Sequence, residues 1–409
     1  MPTDPLSSEL RPLSFDVCIV GAGPVGATLA CRLATAGARV AVIDRASLPP
    51  MEHPDFDGRA YAVAAGSRAL LEQSGVWDLL PQPCGPINAI RVSDGRVGRP
   101  ASSRFLHFDT EETETGPFGW MVEARSLRVA LNARLHALPN LHLFAPAEAT
   151  VTRTQEGATI TVADGPTIHA SLVVAAEGRM SPLRDAAGIA VTRAAYNQRG
   201  IVCAIAHEKP HNGIALEHFL PAGPFAQLPM APTPGHPNVS AIVWTERSAT
   251  ADRLALLDAP AYTREVARRL GSHLGAIQLV GRRWVYNLGA LHAQRYTDTR
   301  LALVGDAAHG IHPIAGQGLN LGFRDVIALS DQVLSALAAN QDPGAPAVLT
   351  AYQRRRRPDN LAMLAATDTL DRLFSTDNPL IRTARTLGIA AVHRMPALKR
   401  AFVRAAMGA

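Results

Sequence analysis

Phe15-Asp-Val-Cys-Ile-Val20-Gly21-Ala-Gly23-Pro24-Val25-Gly26-Ala-Thr-Leu-Ala30-Cys-Arg-Leu-Ala-Thr35-Ala-Gly37-Ala-Arg-Val40-Ala-Val-Ile43-Asp44 is the stretch on which the fold turns. Phe15 to Val20 is an uninterrupted apolar run apart from Asp16, as expected of a parallel strand covered on both faces. Pro24 to Ala36 carries the small and apolar residues of a packed helix, and Gly37 stops it. Val40 to Ile43 is a second buried strand that ends at Asp44. Strand, glycine turn, helix and strand in about thirty residues make a βαβ unit.

The turn has its own chemistry. Gly21 permits the tight bend, Gly23 lets the backbone approach a pyrophosphate, and Gly26 lets helix and strand pack closely. Pro24 and Val25 open the helix, whose free N–H groups and positive dipole end face the phosphates. Asp44 stands where a carboxylate accepts both hydroxyls of an adenosine ribose and disfavours a 2′-phosphate, and Arg45 is counted with the same site. The competing explanation for Asp44 is a helix cap or solvated turn. A glycine turn alone is weak evidence, but strand, helix and terminal acid agree here.

Outward from this unit, the chain of 409 residues exceeds the usual size of one core, so cooperating domains are expected. Apolar residues make up 47% and charged residues 18%, which excludes disorder. Four scattered cysteines (Cys18, Cys31, Cys84, Cys203) without a CxxC pair argue against a disulfide framework or a zinc site, and fit a reducing, cytoplasmic compartment. No metal site is expected. Met1 to Arg11 lack the apolar core of a signal peptide, and the uncharged stretch His218 to Thr245 holds six prolines that a membrane-spanning helix would not tolerate. From Ile381 onward there are six basic residues and no acid, which leaves the rest of a +5 chain at −1. Basic character therefore belongs to the C-terminal tail, and no nucleic-acid surface is expected.

Leu172 to Ala176 and Leu301 to Val304 read as further short strands running into glycine turns, while Ile201 to Ala206 and Ser240 to Thr245 read as strands of a second sheet. The Pro/Gly-rich Pro221 to Pro237 between them is expected to be a loop or lid. From Asp325 the pattern is helical, with breaks expected at Pro343, Pro346, Pro358, Pro379 and Pro396.

Arg300-Leu-Ala-Leu-Val-Gly305-Asp306-Ala-Ala-His309 continues as Gly310-Ile-His312-Pro313-Ile-Ala-Gly316-Gln-Gly318-Leu319-Asn320-Leu-Gly322. This order resembles the third FAD fingerprint of the para-hydroxybenzoate-hydroxylase-like flavoprotein monooxygenases. The chemistry agrees independently. Asp306 can accept a hydroxyl from a ribityl chain, which NAD lacks; Gly316 and Gly318 admit a flat ring; and the helix starting near Leu319 aims its N–H groups at a pyrimidine edge that gains negative charge on reduction. Turn and cap roles compete for Asp306 and Asn320, and ordinary packed imidazoles compete for His309 and His312. Leu172-Val-Val-Ala-Ala-Glu177-Gly178-Arg-Met-Ser181-Pro-Leu-Arg184 is similar to the second fingerprint of that group, with Glu177 in place of its usual aspartate. Arg59 in Asp57-Gly-Arg59-Ala60, and Arg125 in Val122-Glu-Ala-Arg125, match arginines that contact FAD in the group, although a surface salt bridge would explain either.

Two further stretches, Phe219 to Met230 with Ala241 to Thr245, and Leu373 to Gly408, resemble the ubiquinone-biosynthesis hydroxylases. That resemblance implies an α/β fold: a discontinuous Rossmann-like FAD-binding domain (14–80, 120–185 and 280–340), a substrate domain on a mixed β-sheet (81–119 and 186–279), and C-terminal helices (341–409). It implies an FAD-dependent monooxygenase in which NAD(P)H, a transient co-substrate, reduces FAD. O2 is then captured as a flavin C4a-hydroperoxide, and the ring of a prenylated phenol is hydroxylated. On the same ground Arg59, Pro313 and His312 are candidates for the chemistry. For the basic tail two readings stand side by side, peripheral contact with the inner face of a membrane and a helix packed on its own domain with its charges in water; other quinone-biosynthesis proteins are candidate partners. The alternatives are a hydroxylase of a small soluble aromatic compound, a flavin-dependent reductase that inserts no oxygen, and a flavin-containing scaffold.

Overall fold

In a computed structural model the described residues are 13–49, 55–95, 97–98, 106–110, 116–312 and 316–374. Pro313 and the basic tail, with Pro379 and Pro396, lie outside them.

The first sheet has a parallel centre in the spatial order Leu301–Leu303, Thr167–Ala175, Leu13–Val20, Val40–Ile43, Leu141–Phe144. Leu13–Val20 lies in the middle, with Val20 paired to Ile43 on one side and to Ala175 on the other. Val17, Cys18 and Ile19 are fully buried because helices cover both faces of a parallel sheet. Burying each such side chain contributes about 1.5–3 kcal/mol. The expected helix is Pro24–Thr35, followed by Gly37 in the left-handed region, and the expected second strand is Val40–Ile43.

A second, mixed sheet runs in the order His309–Gly310, Ile277–Ala293, Val191–His207, Val239–Arg247, Gly223–Met230, Ile214–Leu220, Ala89–Asp94, Leu106–Asp109. It draws on segments on both sides of the first sheet's central strands, and Ile277–Ala293 runs across the domain boundary expected at 279/280. One face is closed by the helices Ser248–Ala255 and Ala259–Leu270, whose Ala251, Leu254, Tyr262 and Val266 pack on Ile201, Phe225, Ile242 and Trp244. A three-stranded sheet of Ala60–Ala64, Gly119–Glu123 and Gly85–Ile87 packs toward the other face.

Two expectations are corrected. The segment expected to be a lid contains the interior strand Gly223–Met230. Pro224 is paired only toward Ile214–Leu220 and Pro229 only toward Val239–Arg247, so each proline sits where one neighbour drops out and no ladder bond needs its missing N–H. Pro358 does not break the last described helix, Pro346–Phe374, which runs through it. Arg356 and Asn360, flanking that proline, are both anchored to the buried Asp325 and hold the two halves in line. Among the described residues no helix is long and apolar enough to cross a membrane.

Candidate active site

The first glycine turn separates into positions the fold needs and one it does not. A Cβ on Gly21 (φ +101°) would fall 2.5 Å from the Ala176 carbonyl oxygen, and one on Gly26 would fall 1.9 Å from that of Gly21. Steric closeness to neighbouring backbone therefore requires both. A Cβ on Gly23 would meet no atom of the described residues within 4 Å, which leaves the space before it for something other than these residues. The helix Pro24–Thr35 starts there with no side-chain cap and no acid in its first turn, which leaves its N–H groups for an anion. Asp44 borders the same opening: its Oδ2 accepts the Ala22 N–H at 2.5 Å and its Oδ1 accepts the Ala46 N–H at 2.7 Å. Each oxygen keeps a further lone pair for a ribose hydroxyl. Arg45 is exposed and faces Glu177 electrostatically.

Distant segments converge on this turn through Val25. A Cβ on Gly305 or on Gly322 would come within 3.2 Å or 2.6 Å of the Val25 side chain, so the third glycine-rich segment packs directly on the first. The helix Gln317–Ala338 starts at Gly316, which takes a left-handed conformation (φ +62°) beside Ala62. It too has no side-chain cap and no first-turn acid, and a Cβ on Gly318, like one on Gly23, would meet nothing within 4 Å among the described residues. Leu319 packs on the main core. The Asn320 amide clamps the helix to the small sheet: its Oδ1 accepts from the Ala64 N–H and Ser67 Oγ at 2.9 Å, and its Nδ2 donates to the Ala62 carbonyl.

Asp306 is half exposed and pairs with Arg179 at 3.2 Å. Tyr61 lies within electrostatic reach of Asp306, Arg59, Asp57 and Tyr286, and burial pushes its hydroxyl above the ordinary tyrosine range. Arg59 and Asp306 are thereby brought to one neighbourhood. Arg59 pairs with Asp57 at 2.6 Å and lies over the Trp284 ring at 4.3 Å. Arg125 donates to Glu123 at 2.6 Å, with Phe56 beneath its guanidinium. Glu177 Oε2 accepts from Ser181 Oγ at 2.6 Å and the Leu183 N–H at 3.2 Å, so its longer side chain reaches the start of the helix Pro182–Ala186. Burial holds this carboxyl above the ordinary range. Gly178 is in the left-handed region with open space about it.

His309 and His312 diverge. His309 Nε2 is 2.5 Å from Asp325 Oδ2, and Asp325 also accepts from the Gly305 N–H, Arg356 and Asn360. Burial pushes the Asp325 carboxyl up, but His309 and Arg356 beside it hold it below the ordinary range. His309 thus belongs to a structural network. His312 is fully buried, with Nε2 3.3 Å from Gln198 Oε1 and 3.7 Å from Asp371, while its Nδ1 has no partner among the described residues. Burial lowers its pKa, against the pull of Asp371 and Asp368.

Sequence reasoning did not single out Arg179, Arg184 or Asp325. Arg184 is fully buried and donates to the carbonyls of Arg179 and Ala307, tying the second glycine-rich segment to the third. Both arginines lie inside the stretch already quoted, so the available signal was a pair of cations in an apolar setting. Asp325 gave no signal, since its partners lie in other elements.

The face of the second sheet turned toward the three-stranded sheet borders the same region. Val202 and Val243 pair with each other on central strands and stay half-buried, as does Leu228, whereas Ile201, Ile242 and Phe225 on the opposite face are buried. Residual exposure in the middle of a sheet marks space above it. Ala60 and Ala62 pack with this face, so the space adjoins the Gly316 turn. Open glycines, uncapped helix starts and a flanking carboxylate fit a dinucleotide cofactor with a flat ring.

The defining pattern of the FAD binding domain family matches residues 14–367. A protein of Rhodospirillum rubrum named ubiquinone hydroxylase UbiL is 50% identical over 96% of this chain and 89% of its own. The Escherichia coli 3-demethoxyubiquinol 3-hydroxylase is 33% identical over 96% and 98%. Among solved structures, that of PqsL, described as a probable FAD-dependent monooxygenase from Pseudomonas aeruginosa, superposes with a TM-score of 0.73 at 21% identity, covering 92% of this chain and 100% of that one. This last likeness speaks for the fold.

Proposed function

Because the chain belongs to the FAD-dependent hydroxylase family of ubiquinone biosynthesis, we propose that it hydroxylates the ring of a prenylated phenol, with NAD(P)H as electron donor and O2 as oxygen source. The observation that carries this is the meeting, through Val25, of two uncapped helix starts that each present an open glycine, Gly23 and Gly318. Gly23, the Val25 and Gly26 N–H groups and Asp44 would hold the adenosine diphosphate half of FAD; Asp306, Gly316, Gly318 and the start of Gln317–Ala338 would hold the ribityl and ring half. Bound there, FAD supplies the two-electron reduction and oxygen activation that ring hydroxylation requires.

The chain's own residues supply the setting. The N-terminus of Gln317–Ala338 stabilises negative charge at the ring edge. Val202, Val243 and Leu228 offer an apolar wall that excludes water and accepts a hydrophobic ring and tail. Arg59, held by Asp57 and Trp284, presents a cation beside Tyr61. Burial lowers the pKa of His312 and favours its neutral form, which can accept or donate at Nδ1, an atom with no partner among the described residues. NAD(P)H visits transiently, since no further glycine-rich strand-turn-helix segment is present in the sequence to hold it.

The test is to purify the chain, saturate it with FAD, and supply NADH or NADPH, air and a prenylated phenol. A product heavier by one oxygen atom supports the reading, and consumption of NAD(P)H with product of unchanged mass sinks it. The six basic residues from Arg382 to Arg404 suit peripheral docking on an anionic membrane, at about 1 kcal/mol per basic residue near the surface. Flotation with anionic liposomes is expected for the full chain and lost on truncation at Pro396; equal flotation of both would remove the idea.

A further inference from the structure

We propose that Glu217 receives the phenolic hydroxyl of the substrate, so that the site takes a neutral phenol and rejects an aromatic acid of the same size. The inference rests on the hydroxylase reading and deepens it.

Strand register places Glu217 on the face opposite the helices Ser248–Ala255 and Ala259–Leu270. Val202 pairs with Val243, Val243 with Ala226, Ala226 with Glu217, and Glu217 with Val92, so one row of side chains crosses four strand boundaries on a single face. Glu217 is its only polar member. Two residues away along its own strand, Ala215 belongs to the apolar cluster that includes Ala60 and Ala62, and Phe219 stacks on Phe374 with ring centroids 4.0 Å apart. The carboxyl is therefore bracketed between the wall of the site and an aromatic pair at its far end.

Its surroundings give it nothing to bond. Among the described residues Glu217 has no hydrogen bond and no ion pair. It is half-buried, and the protein packed around it desolvates its carboxyl. A half-buried carboxylate that no donor of the described residues satisfies keeps both oxygens for the donor of a ligand. Burial alone pushes the Glu217 carboxyl up to about 7. The titratable groups on the elements around it do not offset this. His218 points to the opposite face and is 2.5 Å from Ser93 Oγ. Asp94 lies on the neighbouring strand beside Phe219, and Asp371 on the helix Pro346–Phe374 is near His312. No cation of the described residues pairs with Glu217, and that disfavours a substrate carboxylate.

A phenol, by contrast, donates a hydrogen bond. Drawing its proton toward Glu217 loads electron density onto the ring, which electrophilic oxygen transfer requires. The step balances in protons. The phenol O–H proton moves to a Glu217 oxygen and returns to the ring oxygen after oxygen transfer, while the proton lost from the oxygenated ring carbon as aromaticity returns leaves in water with the other oxygen atom of O2, so Glu217 ends as the carboxylate it began as. Since the carboxylate form is the better acceptor and exists above pH about 7, phenol affinity rises as pH increases through that value.

The experiment uses FAD-loaded full-length protein, wild type and Glu217→Gln, titrated with 2-methoxyphenol and with 2-methoxybenzoate while flavin absorbance and fluorescence are followed. We expect wild type to bind the phenol at least about tenfold more tightly than the benzoate, with phenol affinity rising between pH about 6 and 8. Glu217→Gln should lose that pH dependence and about tenfold of phenol affinity at the upper pH, the worth of one charge-assisted hydrogen bond. Glu217→Asp should restore the pH dependence in part. Equal affinities and pH profiles in wild type and Glu217→Gln overturn the inference, as does a wild type that prefers the benzoate or binds neither. The two readings fail separately. A wild type that binds FAD and hydroxylates no phenol ends the hydroxylase reading, whereas hydroxylation that proceeds equally in Glu217→Gln at every pH ends only this one.

Discussion

Gly23 and Gly26 belong to one motif but answer to different neighbours. An added methyl at Gly26 collides with the Gly21 carbonyl, whereas at Gly23 it meets no atom of the described residues within 4 Å. Gly26→Ala should therefore lower the melting temperature of the FAD-free protein. Gly23→Ala should leave that temperature unchanged and weaken FAD binding by at least about tenfold, because a pyrophosphate can no longer approach the backbone. Melting curves without cofactor and fluorescence titration with FAD check the pair; a destabilised Gly23→Ala would contradict the open space. Asp325 makes the opposite case, a residue whose partners are all protein. Asp325→Asn leaves Arg356 buried without its main carboxylate and should cost about 3 kcal/mol, the low end for a broken buried pair, because Asp359 and Asn360 still reach Arg356. The sign with pH follows from the depressed carboxyl. Its contribution is present above the ordinary aspartate range and is lost as pH falls through the folded-state value. Denaturant midpoints should therefore fall less steeply on acidification in Asp325→Asn than in wild type.

Among elements, the strand and helix flanking Gly21–Gly26 were legible because parallel strands are apolar along their whole length and the glycine turn marks their end. Val40–Ile43 needed no adjustment, and Leu301 to Val304 differs from the observed strand by one residue. Gly223–Met230 was hidden by its own prolines. Proline argues locally against a strand, and only the register of the neighbouring strands shows that these two fall where a partner is missing. In the site, the glycines and carboxylates were visible as types at fixed spacing. The Asn320 clamp, the Asp325 network and the row containing Glu217 depend on contacts between residues far apart in sequence, and no local pattern encodes them. The clamp has a measurable consequence. Asn320→Ala removes the acceptor shared by the Ala64 N–H and Ser67 Oγ, which are buried or nearly so, and should cost about 1–3 kcal/mol in stability. It should also weaken FAD binding, since the clamp sets the helix start against Ala62. Retention of wild-type FAD affinity would show that Gly316 alone positions that turn.

For the whole molecule, the decisive feature is interleaving. Leu13–Val20, Thr167–Ala175 and Leu301–Leu303 are neighbours in the first sheet, yet the chain builds most of the second sheet between the last two of them. The long strand Ile277–Ala293 hands the chain back, and His309–Gly310, from the third glycine-rich segment, pairs onto its end. Neither sheet can be completed while the other is unfolded, so the protein should unfold in one transition, without a separable domain. With Trp77 and Trp120, which pack on the first sheet's core, and Trp284 replaced by Phe, the probes are well placed: Trp244 is buried in the second sheet's helix-covered core, while far-ultraviolet dichroism reports chiefly on the helices packed around the first. Tryptophan fluorescence and dichroism should give coincident melting curves. FAD contacts only the folded chain in this scheme, so free cofactor at about 100 times its dissociation constant should stabilise the protein by about 2.7 kcal/mol and move both curves together. A fluorescence transition that stays in place while the dichroism shifts would mean that the second sheet folds independently, and the single-unit account would fail at the strand Ile277–Ala293.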